Sequence, residues 1–328
     1  MGDAYRSGKR EVRDAPPTSH LDTHFAPRAY ALRISISMNT ITLKAPAKVN
    51  LYLDVLGKRP DGYHNILTLF EKINICDEIV ISRRSSPGIN ISCDGGILKK
   101  DNLAYKAARL FFSKNKIKGG VNIRIKKKIP IAAGLGGGSS DAAATLLGIN
   151  RLFRLNLKKE DLAELAGLLG ADISFFIINS SFALGRDRGD KLEKLPFKPL
   201  RMWHLLIFPG VKKLTRDVYK ALKLGLTTSA PSVKMLLHAL KIGDFGLIKR
   251  TMYNRLEDPA FHRDPGLGAL KSNLIELGME GALLSGSGPT IFGITKTRKE
   301  AVLLKGKLLK SVIGANTEGW QMFIARTF

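Results

Sequence analysis

The sequence predicts an α+β protein of two domains, each a sandwich of sheet and helices. Three observations carry that reading. The chain has 328 residues, enough for about two domains. Short strand-like stretches and longer helical ones follow one another in mixed order, which is the pattern of an α+β fold. A glycine-rich loop, Gly134-Leu135-Gly136-Gly137-Gly138, stands where a strand pattern ends and a helix pattern begins.

Residues 1–37 carry Pro16-Pro17, Pro27 and charges of both signs without a sustained period. They read as an extension, either disordered or an artefact of the start site, since Met38 immediately precedes the first strand pattern. Four acids among them argue against a transit peptide. Strands are expected at 40–43, 47–55, 73–82 and 89–92. Asp101-Asn102 caps a helix whose apolar positions include Leu103, Ala104, Ala107, Leu110 and Phe111. Val121-Asn122-Ile123-Arg124-Ile125 alternates as a half-buried strand does.

The glycine loop comes next, then an alanine-rich helix to about residue 155. Ser139, Ser140 and Asp141 are its N-cap candidates. A helix at 161–169 stops at Gly170. Beyond it, a strand is expected at 203–208 and helices at 217–222, 233–242, 245–252 and 266–277. Strands at 282–284 and 290–294 flank Ser285-Gly286-Ser287-Gly288-Pro289. A helix at 298–311 and a strand at 321–325 close the chain. Glycine, proline and charge cluster between 185 and 200, which divides an N-terminal domain, 38–185, from a C-terminal one, 186–328.

The loop is the most informative segment. Glycines let the backbone come close to a ligand and adopt positive φ. A helix start offers unpaired N–H groups and the positive end of the dipole. Strand, glycine loop and helix N-terminus in that order make an anion site, most often for phosphate. It is neither a Walker A loop, since no Lys follows the glycines, nor a dinucleotide fingerprint, since Ser139 stands where the last Gly or Ala belongs. The alternative is a tight strand-to-helix connection without a ligand.

Composition narrows the classes. Net charge is +25, from 53 basic and 28 acidic residues, which points to anionic partners. The lysines lie in scattered pairs and triplets without interleaved aromatics, so nucleic acid is not expected, although an RNA-binding protein is the rival from another class. Two cysteines, Cys76 and Cys93, make neither a disulfide framework nor a metal cluster and fit a reducing cytoplasm. The longest uncharged stretch, 281–295, is 15 residues, short of the roughly 20 a spanning helix needs, so no membrane partner is expected.

Three further segments join the loop. Pro46-Ala47-Lys48-Val49-Asn50-Leu51 precedes Asp61-Gly62-Tyr63-His64; Gly170-Ala171-Asp172 follows a helix; Ser285-Gly286-Ser287-Gly288 is a second glycine turn. Taken singly, Lys48 has a lesser alternative reading as a solvated strand residue, and Asp172 as a turn or cap residue. Tyr63 and His64 read equally as turn packing, and the second glycine turn as a plain hairpin.

In this order, from about residue 40 to the C-terminus, the segments resemble the GHMP kinases. They come closest to the branch acting on 4-diphosphocytidyl-2-C-methyl-D-erythritol in the non-mevalonate isoprenoid pathway. The resemblance implies a two-domain fold with the active site between the domains. It implies ATP and Mg²⁺ as cofactors, and transfer of the γ-phosphate to the 2-hydroxyl of that small molecule. It also implies roles. Asp172 would take the hydroxyl proton, and Lys48 would favour its carboxylate form. Pro130, Ala132, Ala133, Gly134, Leu135, Gly136, Gly137, Gly138, Ser139 and Ser140 would cradle the ATP phosphates. Asn50, Tyr63 and His64 would bind the cytidine diphosphate part. No metal ligand is assigned, and monomer and homodimer both stay open. Homoserine or mevalonate kinase is the nearest alternative, disfavoured by the Gly62-Tyr63-His64 segment and the triple glycine. Two departures stand out: Ala132-Ala133 where the branch often has more glycine, and Asp141 where Asn is common.

Overall fold

The structure, a computed structural model, describes residues 35–37, 39–210, 215–222, 230–311 and 317–328. β1 (Ser35–Ser37) turns back onto β2 (Thr40–Lys58), which pairs antiparallel with β3 (His64–Arg84). Two strands, 40–43 and 47–55, were expected here; Pro46, between them, has no N–H for a ladder. The ladder absorbs the proline with a register shift between Pro46 and Ala47 and runs on through 19 residues. The last residues of the expected extension, 35–37, therefore lie in the sheet; the rest of that expectation, for 1–34, falls outside the described residues.

β4 (Gly88–Cys93), α1 (Leu103–Lys114) and β5 (Gly120–Lys126) form a parallel crossover. Asn102 caps α1 as expected, its side chain accepting from the Ala104 N–H. α2 (Gly137–Leu152) follows the glycine loop. Its N-cap is Gly136, at φ 69°, and not one of the three candidates; Ser139, Ser140 and Asp141 fall in its first turns. The left-handed glycine starts the helix earlier and leaves the polar side chains for other contacts. α2 lies hard against β2 and β3: a Cβ on Gly148 would stand 2.6 Å from Ile81 Cδ1 and 2.9 Å from Leu43 Cδ1.

α3 (Lys159–Gly167) and α4 (Ile173–Ile177) complete the helical layer, Asp172 standing just before α4. β6 (Phe182–Arg186) and β7 (Lys191–Lys194) form a hairpin that joins the first sheet along β3. The sheet thus continues past the expected division at 185/186, which falls inside β6; we place the division between β7 and β8 instead.

β8 (Trp203–Phe208) opens the second sheet. α5 (Thr215–Ala221), α6 (Val233–Ile242) and α7 (Phe245–Thr251) lead to β9 (Tyr253–Asn254), which pairs back onto β2. α8 (Glu257–Arg263), α9 (Pro265–Glu276), β10 (Gly281–Leu284), β11 (Ile291–Thr295), α10 (Arg298–Ser311) and β12 (Gln321–Arg326) follow. The second sheet is antiparallel in the order β10-β11-β8-β12.

The two sheets share their cores. Ile41, Leu43, Ile79 and Ile81 pack under α1 and α2. Farther along β2, Val49 and Leu51 cluster with Leu206, Phe208 and Leu240, and Leu53 and Val55 with Leu205, Ile207, Leu274 and Leu308. A buried polar network adds a second tie. Glu71 Oε2 of β3 lies 3.1 Å from His204 Nε2 of β8, and the Thr327 hydroxyl donates to Glu71 Oε1 at 2.7 Å. That hydroxyl also accepts from the Met202 N–H at 2.8 Å.

Candidate active site

Between the sheets lies a cleft of about 480 Å³. One wall is the glycine loop. Gly134 and Gly136 take positive φ, 78° and 69°, and both are hemmed in. A Cβ on Gly134 would stand 2.2 Å from the Ser285 carbonyl, and one on Gly136 2.9 Å from Lys48 Cγ. Ala132 also adopts a left-handed φ, 58°, and has no such freedom. This accounts for the glycine common in that neighbourhood: the turn asks for it, and here an alanine carries the strain.

The second glycine turn supports the first and is not a free-standing hairpin. The Ser285 hydroxyl donates to the Gly134 carbonyl at 3.0 Å, and a Cβ on Gly286 would stand 3.3 Å from Lys48 Nζ. Asn254, delivered by β9, donates to the carbonyls of Leu284 and Gly286 at 2.8 and 2.7 Å and fixes the turn from behind. Loop, second turn and β2 thus converge on one lysine.

Lys48 is buried on β2, and its own N–H donates to the Leu135 carbonyl at 2.9 Å. Its ammonium donates to Asn50 Oδ1 at 2.8 Å and lies 3.6 Å from Asp172 Oδ2. Asn50 in turn donates to the Thr68 hydroxyl at 2.8 Å. Asn50 was expected to bind the acceptor; here it lines the cleft while its amide oxygen steers Lys48. Asp172 has a side chain 35% exposed against 5% for Lys48, so the carboxylate faces the cleft and the lysine backs it.

Pro130, Ala132, Ala133, Gly134, Leu135, Gly136, Gly137, Gly138 and Ser139 all line the cleft. Ser140 lies just behind, its hydroxyl buried without a hydrogen-bond partner. Tyr63 and His64 are not in the wall, but each touches a residue that is. The Tyr63 ring lies 5.4 Å from the Arg188 guanidinium, and the His64 ring 5.1 Å from the ring of Tyr219. Burial, with Asp172 nearby, pushes the Tyr219 phenol well above its ordinary range.

Sequence reasoning missed Arg188, Tyr219 and a buried cluster behind the loop. Lys127 Nζ bridges Asp77 Oδ2 at 2.6 Å and Asp141 Oδ2 at 2.8 Å. Asp77 Oδ1 accepts the N–H groups of Lys128 and Ile129 at 2.5 and 2.9 Å, tying the approach to the loop onto β3. Asp141 is thus a partner of Lys127, held behind the loop, which disposes of the repulsion a carboxylate beside phosphates would cause. Burial pushes it up to about 7, opposed by Lys127 and reinforced by Asp77. Among the described residues no three His, Cys, Asp or Glu side chains gather as a metal site.

Known proteins match this geometry. Residues 102–180 match the GHMP kinases N terminal domain, and 236–313 the GHMP kinases C terminal domain. A 4-diphosphocytidyl-2-C-methyl-D-erythritol kinase from Acetivibrio thermocellus is 39% identical over 293 residues, 88% of this chain and 100% of that protein. The chain belongs to the GHMP kinases, in the 4-diphosphocytidyl-2-C-methyl-D-erythritol kinase family. The kinase of that name from Exiguobacterium sibiricum is 41% identical over 80% of this chain and 91% of its own. A crystal structure of 4-(cytidine 5'-diphospho)-2C-methyl-D-erythritol kinase superposes with a TM-score of 0.73 at 34% identity, covering 87% of this chain and 98% of that one. Homoserine kinase from Cytophaga hutchinsonii, at 23% identity, 0.70, and coverage of 90% and 96%, shares the fold. In the kinase, the Lys48–Asp172 pair stands where the glycine loop and the second turn meet β2.

Proposed function

We propose that this kinase transfers the γ-phosphate of ATP to the 2-hydroxyl of 4-diphosphocytidyl-2-C-methyl-D-erythritol. The observation that carries the reading is the Lys48–Asp172 pair, 3.6 Å apart and facing the glycine loop across one cleft. Phosphoryl transfer needs positioning and charge neutralisation more than covalent help. The loop supplies backbone N–H groups and a helix start for the triphosphate. Asp172, exposed to the cleft, takes the proton of the attacking hydroxyl. Lys48, fixed by Asn50, holds that carboxylate in place and lends positive charge to the attacking hydroxyl oxygen.

Mg²⁺ fits the residues present. The unpartnered Ser140 hydroxyl at the start of α2 is an oxygen donor of the kind this cation takes and would hold it beside the triphosphate. When bound, the ion neutralises phosphate charge. Ile66 and Leu53, with Tyr219 closing over them, form the apolar part of the acceptor side, and Tyr63 and His64 stand at its edge as the aromatic groups for a base.

A panel of acceptors with ATP tests the assignment. Turnover is expected with 4-diphosphocytidyl-2-C-methyl-D-erythritol and not with homoserine, mevalonate or galactose, because the remote cytidine diphosphate supplies the binding energy that positions the hydroxyl. Comparable phosphorylation of a small acceptor would overturn the substrate and leave the kinase standing.

A further inference from the structure

The charges lining the cleft are unequally committed. Among the described residues Asp172 is its lining acid, and Lys48, Lys127 and Arg188 are its lining cations. Lys48 is engaged by Asn50 and Asp172, and Lys127 by Asp77 and Asp141. Arg188 hydrogen-bonds one carboxylate, its Nε and Nη2 both donating to Asp190 Oδ2 at 3.0 and 2.5 Å with Asp61 and Asp187 nearby, which leaves Nη1 outside that pair.

Its placement is built. Arg188 sits at the tip of the β6–β7 hairpin between two left-handed residues, Asp187 at φ 58° and Gly189 at φ 95°. For Asp187 that conformation costs on the order of 1 kcal/mol and must be held by its surroundings. The holds are visible. The Ile66 N–H donates to the Asp187 carbonyl at 2.6 Å, the Gly189 N–H to the Arg186 carbonyl at 2.8 Å, and a Cβ on Gly189 would meet Ile66 Cδ1 at 3.2 Å. The hairpin tip is thus fastened to the start of β3, the segment that carries Tyr63 and His64. The guanidinium comes to rest 5.4 Å from the Tyr63 ring, a cation–π distance. Tyr63 itself is 58% exposed, so Arg188 stands at an open edge of the cleft and is not part of a core.

We infer that Arg188 binds the diphosphate of the acceptor. This rests on the substrate proposed above. A nucleoside diphosphate handle asks for an aromatic face for its base and, one sugar away, a planar cation for its phosphates. A guanidinium is the group suited to phosphate oxygens, because its forked N–H groups match their geometry. Tyr63 and Arg188 present both, side by side, where the tip of the β6–β7 hairpin is fastened to the start of β3. Asp190 keeps the guanidinium oriented while Nη1 takes the phosphate.

The test compares cytidine, CMP and CDP as ligands of the intact kinase by calorimetry, for wild type, R188M and R188K, with steady-state kinetics alongside. Wild type should bind CDP more tightly than cytidine. R188M should lose about 10–100-fold in CDP affinity, the usual worth of a charged hydrogen bond, with cytidine and the KM for ATP nearly unchanged. Its acceptor KM should rise far more than its kcat falls, and R188K should recover part of the CDP preference as a point charge. R188M retaining the wild-type ratio of CDP to cytidine affinity would overturn the role of Arg188. Should R188M fail to fold, R188Q read in the same way decides. A wild-type protein that ignores all three ligands while turning over another acceptor would instead overturn the substrate, a distinct outcome.

Discussion

Asp141 shows how one residue can cost stability and keep a site in order. It shares Lys127 with Asp77 inside the protein, where one ammonium faces two carboxylates. Burial raises it to about 7, above its unfolded value of about 3.9. A group raised in the folded state contributes stability below its unfolded value and loses it as pH climbs to the folded one. Asp141→Asn should therefore be nearly neutral in melting temperature below pH 4 and increasingly stabilising, relative to wild type, from about pH 4 to 7, levelling off above. A constant difference across that range would show that Asp141 does not titrate there. Lys48 and Asp172 act as one unit. Asp172→Asn should fold and lose about 10²–10⁴-fold in kcat, the usual worth of a positioned acid–base group, with little change in ATP affinity. Lys48→Met should lose a similar amount, and the double variant hardly more than either. Multiplicative losses in steady-state kinetics would separate the two. Lys48, Asp172 and the loop were legible because each sits in a local motif of fixed spacing. Tyr219, Arg188 and Asp77 were not, since nothing near them in sequence announces a cleft formed by packing α5, the β6–β7 hairpin and β3 together.

The glycine loop and the second glycine turn behave as a single element assembled from opposite ends of the chain. Gly134 is the contact: its carbonyl takes the Ser285 hydroxyl, and its missing Cβ leaves room for the Ser285 carbonyl. Gly134→Ala combines a left-handed φ with a 2.2 Å clash against backbone, so the loop must move off the turn. We expect a raised KM for ATP, by tenfold or more, together with a lower melting temperature. Normal ATP binding in the folded variant would show that the two turns are not coupled. The opposite case is Ala132, left-handed without being glycine. Ala132→Gly removes strain of roughly 1–2 kcal/mol and returns about 0.4–1 in unfolded-chain entropy. A gain of about 0.5–1 kcal/mol should appear in urea melts, and a loss would show the strain to be absent. Element boundaries were legible where periodicity was clean: β8, α6 and α10 fall where expected. The first half of β3 was not, because Thr68, Glu71 and Lys72 are polar yet buried, which erases the period-two signature of a strand with one wet face. The start of α2 was misplaced for a related reason. Good capping side chains stand in the first turns, but a left-handed glycine needs no side chain to begin a helix.

At the scale of the whole molecule, the two sheets are held by shared apolar cores and by polar ties, of which the buried Glu71–His204–Thr327 latch is one. The division at 185 was drawn from composition, and composition reports linkers, not strand pairing. β6, β7 and the short β9 all return to the first sheet, and only pairing partners reveal that. The net charge of +25 was legible as a demand for anionic partners, but its distribution was not. Among the described residues three cations reach the cleft, two of them already committed to carboxylates. The latch was invisible for the same reason. Glu71, His204 and Thr327 are far apart in sequence, and each alone resembles an ordinary strand residue. It makes a direct prediction. Thr327→Val keeps the shape of the side chain but withdraws one hydrogen from Glu71 Oε1 and one acceptor from the Met202 N–H, both buried. Leaving two such groups without partners costs about 1–3 kcal/mol each, and relaxation recovers part of it, so a loss of about 2–4 kcal/mol is expected in denaturant melts. The latch touches none of the reacting groups. Below the transition, kcat per folded molecule should therefore stay close to wild type. A stable Thr327→Val variant would mean that the shared apolar cores and the remaining β3–β12 hydrogen bonds suffice to join the sheets. A stable fold with reduced kcat would instead make the latch a determinant of how the cleft is set between them.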